Sequence, residues 1–203
     1  MKVSKIFVPS QFFFHHECEN MQSEQANSII TLYLRLKFTT LRKMIFLITT
    51  ALGMLVLGMN AGLNFMQILW MKQIGKASDL KAPFVEFLAI LSNTRALRLM
   101  ATLGFLFPYA GGFVIYGRND MLTYLIFAAA TLYFFSSVYM QGKKIIPMYR
   151  KVEAMHETLT EDDLRGLLRS LVRTTYVRML GAILAFAIMA YLFFFFLEKG
   201  MPL

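Results

Sequence analysis

Charged side chains are absent from Met44 to Met71, which makes this the longest uncharged run in the chain. At about 1.5 Å of rise per residue, a helix of this length exceeds the roughly 30 Å of bilayer hydrocarbon, so the run predicts a membrane span, 44–71. Three further spans are predicted at 97–117, 121–141 and 177–197. Two polar links, 72–96 and 142–176, separate the spans, and Arg118-Asn119-Asp120 is so short that it forces its flanking helices into an antiparallel hairpin. The predicted fold is all-α: a polytopic membrane protein with four transmembrane helices packed as a small bundle.

The first span carries a pattern within its apolar run. At about 100° per residue, Thr49, Gly53, Asn60, Asn64 and Gln67 fall within about 60° of one another, and Gly58 and Gly62 lie on the opposite side. One helix therefore has two faces unsuited to lipid. Gly58-x-x-x-Gly62 permits close approach of another backbone, and the amides need hydrogen-bond partners that hydrocarbon does not offer. Two readings of the amide face stand side by side: glue between helices, at roughly 0.6 to 2 kcal/mol per residue, or a polar pocket or solute path.

In the second predicted span, Pro108 frees a carbonyl one turn earlier and predicts a kink, and Gly111-Gly112 beside it allow close contact. Thr131, Tyr133, Ser136, Ser137 and Tyr139 spread around the wheel of the third span and define no single polar face. Tyr109 and Tyr133 are the candidate proton donors for any chemistry inside the membrane. Asn60, Asn64, Gln67, Tyr109 and Tyr133 are thus the candidate ligand or helix-interface residues, and Gly58, Gly62, Gly111 and Gly112 the candidate packing residues.

The links carry helical signals of their own. Pro83 opens a short helix lying along the membrane, with Phe84, Phe87, Leu88 and Leu91 on its apolar side. Thr160 precedes Glu161-Asp162-Asp163 in a Thr-x-x-acid capping box. Beyond it, Leu164, Leu167, Leu168 and Leu171 make an apolar face, while Arg165, Arg169 and Arg173 make a basic face suited to anionic headgroups or to a docking partner.

Composition supports one membranous domain: 57% of residues are hydrophobic and 16% charged, against about 45 to 50% and about 25% in soluble globules. The net charge of +9 lies beside the spans, where it meets lipid headgroups, and so little other surface remains that nucleic acid is excluded as a partner. Basic residues concentrate in the first link and at its edge (Lys72, Lys76, Lys81, Arg95, then Arg98) and in the third (Lys143, Lys144, Arg150, Lys151, Arg165, Arg169, Arg173). The positive-inside rule puts both links in the cytoplasm and both termini outside, in a bacterial inner or plasma membrane.

Arg35, Lys37, Arg42 and Lys43 oppose that assignment. Residues 1–43 therefore read either as an N-terminal tail with an interfacial amphipathic helix, or as an extension absent from a mature chain beginning at Met21 or Met44; the transmembrane domain is 44–203. His15 and His16 with Glu17 and Glu19 have metal-binding chemistry but fit no recognised ligand spacing, and no metal, cofactor or catalytic residue is assigned. The single cysteine, Cys18, excludes an intramolecular disulfide.

The four-span layout, the segment GMNAGLNF at 58–65 and the basic link before the last hydrophobic helix resemble small four-helix integral membrane proteins, the group that includes the anthrone-oxygenase-like proteins. The resemblance covers Met44 to Leu197 and implies a membrane protein handling a hydrophobic small molecule. Three functions remain in view. An interaction or assembly partner in a membrane complex, as a homo-oligomer or beside another membrane protein, explains the glycines and the basic links. A transporter or channel subunit would line its path with Asn60, Asn64 and Gln67. An enzyme or binding protein for a lipid-like or quinone-like molecule would set the same amides and a tyrosine in a lateral pocket near Pro108.

Overall fold

The computed structural model describes residues 11–93, 95–117, 120–155 and 158–199. Arg118, Asn119 and His156, and the side chains of His15, His16, Cys18, Arg95, Arg98 and Lys199, lie outside what is described. The described residues are helical throughout their ordered elements: α1 (Gln11–Ile74), α2 (Lys81–Asn93), α3 (Arg95–Ile115), α4 (Asp120–Tyr133), two π-helical stretches (Phe134–Tyr139 and Gln141–Ile145), α5 (Ile146–Met155) and α6 (Glu161–Lys199).

Two compact units divide the chain, Met1–Arg42 and Lys43–Leu203. In the first, Leu32, Tyr33, Leu36 and Phe38 are exposed on α1. The second holds the bundle. Three helical stretches are long and apolar enough to cross a membrane, Ile30–Ile74, Asp120–Met155 and Glu161–Glu198, and Leu99–Ile115 is a shorter apolar helix. Leu55, Met66, Phe113, Phe135, Leu184 and Phe194 stand exposed on the outside of the bundle. Water would not tolerate so much contiguous apolar surface, and lipid does. The chain is a small all-α integral membrane protein.

Within the bundle α1 and α6 run antiparallel. Phe46 stacks edge-on against Phe196 with ring centroids 4.6 Å apart, Gly58 lies against Phe186, and Gly75 against Leu168. Small residues set the distance between other pairs. A Cβ on Gly104 would sit 2.8 Å from the Tyr133 ring and one on Gly112 2.7 Å from the Phe127 ring, so only glycine admits α4 this close to α3. Gly111 abuts Thr49 Oγ1, and Pro108 lies against Gly53.

The apolar core falls into two clusters. One joins Phe46 and Leu57 of α1, Ile115 of α3, Leu122, Ile126 and Tyr133 of α4, and Ala182, Met189 and Phe196 of α6. The other joins Ile68 and Met71 of α1 with Phe84, Phe87 and Leu88 of α2, Val152 of α5, and Leu164, Leu168 and Leu171 of α6. The apolar side of α2, expected to lie on lipid, is thus buried against protein. Its anchor is Phe87, 6.0 Å from Trp70. The link expected from Gly142 is helical at its start: Asp120–Met155 runs on through the π-helical stretches, and Pro147 lies inside that continuous helix, where the second π-helical stretch gives way to α5.

The first turn of α6 closes as a reciprocal capping box. Thr160 Oγ1 donates to Asp163 Oδ2 at 2.6 Å, Thr160 N donates to the same oxygen at 3.2 Å, and Asp163 N donates back to Thr160 Oγ1 at 3.3 Å. These bonds to the Thr160 hydroxyl and backbone hold the Asp163 carboxyl below its ordinary 3.8. Because the folded value is depressed, the cap's contribution is complete above the unfolded value and disappears as pH falls through the folded one. The protection of the Asp163 and Leu164 amides, measured against their intrinsic exchange rates, should therefore be high at neutral pH and fall on acidification below about pH 4. Asp163→Asn should abolish that pH step.

Candidate functional site

Between the two apolar clusters lies a belt of buried polar side chains from three elements. From α1 come Asn60, Asn64 and Gln67; from the first π-helical stretch, Ser136 and Ser137; from α6, Thr174, Thr175 and Arg178. The antiparallel register that sets Gly58 against Phe186 and Gly75 against Leu168 brings Asn64 level with Arg178. Gly181 meets Ser136 on the facing helix, which places Ser137 and Gln141 in the same layer. The belt coincides with the π-helical winding, a rare form of helix that recurs at functional sites.

Part of the belt satisfies itself. Asn60 Nδ2 donates to the Val56 carbonyl at 3.1 Å and to the Met100 carbonyl at 3.2 Å, tying α1 to α3. Thr174 and Thr175 donate to the carbonyls of Ser170 and Leu171, each at 2.9 Å, and Ser136 to that of Tyr133 at 3.3 Å. Bonds of this kind, back to the preceding turn, are how hydroxyls are accommodated inside apolar helices.

The remainder does so only in part. Asn64 Nδ2 and Arg178 Nε are buried and find no hydrogen-bond partner among the described residues, while the buried hydroxyls of Tyr133 and Ser137, one turn apart, have one another within reach. Asn64 is 2% exposed, Tyr133 0% and Arg178 7%. Arg178 Nη2 reaches Gln141 Oε1 at 3.5 Å, and its charge lies within electrostatic reach of Tyr133. Among the described residues no carboxylate belongs to the buried belt. Asn64 Nδ2 and Arg178 Nε can only donate, whereas the two hydroxyls both donate and accept, so the belt is chemically suited to a hydrogen-bond acceptor or an anion.

The predicted site residues are distributed unequally. Asn60, Asn64 and Gln67 all turn into the bundle and Tyr133 is buried as well, against Gly104. Tyr109 does not: it stands half-exposed in an aromatic group with Phe105, Phe113 and Phe127, at centroid distances of 5.3, 5.0 and 5.2 Å. Gly58 meets Phe186, whereas a Cβ on Gly62 would meet nothing within 4 Å. Arg165, Arg169 and Arg173 are exposed on α6. Among the described residues no group of three or more His, Cys, Asp or Glu could hold a metal.

Arg178 is the residue the polarity pattern passes over. Set beside Arg165, Arg169 and Arg173, it looks like one more basic residue of the link. At about 100° per residue, however, it lies about 140° away from Arg165, on the side of Leu171, Thr175 and Ala182. That offset is the signal that would have placed it inside.

Comparisons with protein-family models, with curated proteins and with solved structures found no match for this chain.

Proposed function

We propose that this chain is a membrane-embedded binding protein that holds the acceptor-bearing head of a lipid-like or quinone-like molecule at the polar belt. The observation that supports it is the pair of buried, unpaired donors Asn64 Nδ2 and Arg178 Nε, beside the Tyr133 and Ser137 hydroxyls, in a layer where no carboxylate is buried among the described residues. An orphaned buried donor costs about 1 to 3 kcal/mol, more for a charged one, and an acceptor bound there recovers that cost. Intramembrane arginine is expensive enough to mark function by default. No reaction is assigned to the site.

The finer topology belongs to the same proposal. Leu99–Ile115 serves as a fourth span, the basic links 72–96 and 142–176 face the cytoplasm, and both ends lie outside a bacterial inner or plasma membrane. The likeness to the anthrone-oxygenase-like group rests on layout and the 58–65 segment, and its small hydrophobic ligand agrees with this reading.

Native mass spectrometry of the detergent-solubilised protein tests it. The wild type should retain a small acceptor-bearing molecule that the Asn64→Leu/Ser137→Ala variant releases. Wild-type protein free of any such molecule, or equal retention by the variant, would overturn the reading.

A second reading, the assembly partner, is favoured by Gly62. This glycine faces open space although Gly58 one turn earlier is occupied by Phe186, so a helix outside the bundle can still approach α1 closely at Gly62. Gly62→Ile should then weaken association in liposomes about tenfold, roughly 1.4 kcal/mol, by energy transfer between labelled copies or a labelled partner. Unchanged association would remove this reading. An amide-lined solute path has less support, because Asn60 is already engaged with Val56 and Met100.

A further inference from the structure

On the side of α6 away from the belt, its exposed face and the end of α1 enclose a groove of about 500 Å³. Lys72 of α1 and Lys76 in the turn that follows it line one wall, Arg169 and Arg173 of α6 the other, and Tyr176 and Leu180 continue it along α6. None of its described lining residues is acidic. Four cations converge on a space large enough for a glycerophosphate headgroup.

The groove is graded along its length. From Arg169 to Leu180 is about 16 Å at 1.5 Å of rise per residue, from the polar link into the apolar run of α6. Trp70, an interface-type aromatic, lies two residues before Lys72 and marks the same level on α1. The cationic end therefore sits at headgroup depth and the Leu180 end in hydrocarbon.

Its walls are braced from outside. Arg165 Nη2 pairs with Glu161 Oε1 at 2.6 Å while Nη1 reaches the Gly75 carbonyl at 3.5 Å, tying the two walls together. Lys72 Nζ stands 5.8 Å from the centre of the Tyr176 ring. Arg169 Nε donates to the Arg165 carbonyl at 3.4 Å, which leaves its terminal nitrogens for a ligand.

We infer that this groove binds one anionic phospholipid, its phosphate held by Lys72, Lys76, Arg169 and Arg173 and an acyl chain lying along Tyr176 and Leu180. The sequence groups Arg165, Arg169 and Arg173 as one basic face; the fold divides them, assigning Arg165 to bracing and the other two to the lipid. This site is independent of the belt, since it lies on the opposite side of α6 and shares no residue with it.

The test uses the full chain in nanodiscs of mixed phosphatidylglycerol and phosphatidylcholine, released for native mass spectrometry. Wild type should retain a phosphatidylglycerol in preference to phosphatidylcholine. Lys72→Gln/Arg169→Gln/Arg173→Gln should reduce that preference about tenfold. Lys143→Gln/Lys144→Gln/Lys151→Gln, which removes the same charge away from the groove, should keep it. Millimolar sn-glycerol 1-phosphate should fail to displace the lipid. Absence of a wild-type preference, retention by the groove variant, or equal loss in the control variant would overturn the site. Displacement by the soluble phosphate would overturn its assignment to a lipid. The substituted side chains are all exposed, and unchanged melting of both variants would show that the readout is binding rather than folding.

Discussion

Gly181→Ala should destabilise the bundle by about 2 to 3 kcal/mol, whereas Gly62→Ala should stabilise it by roughly 0.5 to 1 kcal/mol. The chemical change is identical and only the surroundings differ. A Cβ at Gly181 would overlap both Oγ and Cβ of Ser136 and lie 3.8 Å from the Leu132 carbonyl oxygen. Serine has no flexible far end to move aside, so α6 and the π-helical stretch must separate. Separation would open the polar belt along its length. At Gly62 the new methyl enters empty space, and what remains is the advantage of alanine over glycine within a helix. Unfolding of the two variants in the same detergent would measure both signs. A Gly181→Ala protein as stable as wild type would mean that the π-helical stretch and α6 are not packed this closely.

Arg178→Leu should stabilise the delipidated protein by about 2 kcal/mol. Breaking one member of a buried ion pair normally destabilises, because the other charge is stranded. Here, among the described residues, no carboxylate lies in the buried belt, so removing the guanidinium strands no opposite charge. It removes an unpaired Nε and a weakly held head at 3.5 Å from Gln141, and supplies an apolar side chain between two apolar clusters. Membrane insertion of α6 should improve in the same direction. The experiment is a thermal or denaturant titration in lipid-free detergent, repeated in native lipid. If an acceptor occupies the belt in native lipid, the gain should shrink or reverse there. A clear loss of stability in lipid-free detergent would show that Arg178 is held by protein groups, and would weaken the binding proposal with it.

The two largest expected effects fall on residues with very different visibility in the sequence. Gly181 stands in an apolar run where any glycine can pass as a packing residue, and Ser136, its opposite number, lies 45 positions earlier. Arg178 is conspicuous as a charge but sits at the edge of a predicted span, where polarity alone cannot tell a headgroup ligand from a buried residue. Ser136 and Ser137 were dispersed on a 100° wheel because that wheel assumes uninterrupted α-helix. The π-helical stretches change the register, and both serines face inward.

What the sequence determined by itself was everything that depends on the neighbourhood along one helix. The long uncharged run of Met44 to Met71, the amide side of α1, the capping box at Thr160 and the leucine and arginine faces of α6 all follow from spacing within a single element. Lipid and water sort such faces without reference to a partner, which is why periodicity suffices to read them. The tertiary structure alone decided which faces meet. It buried the apolar side of α2 in protein instead of lipid, tied Asn60 to a carbonyl 40 residues away, buried Asn64 and Arg178 with unpaired donors, and divided the three arginines between bracing and an open groove. Such pairings are set by shape and register between helices far apart in the chain, and a one-dimensional pattern records neither.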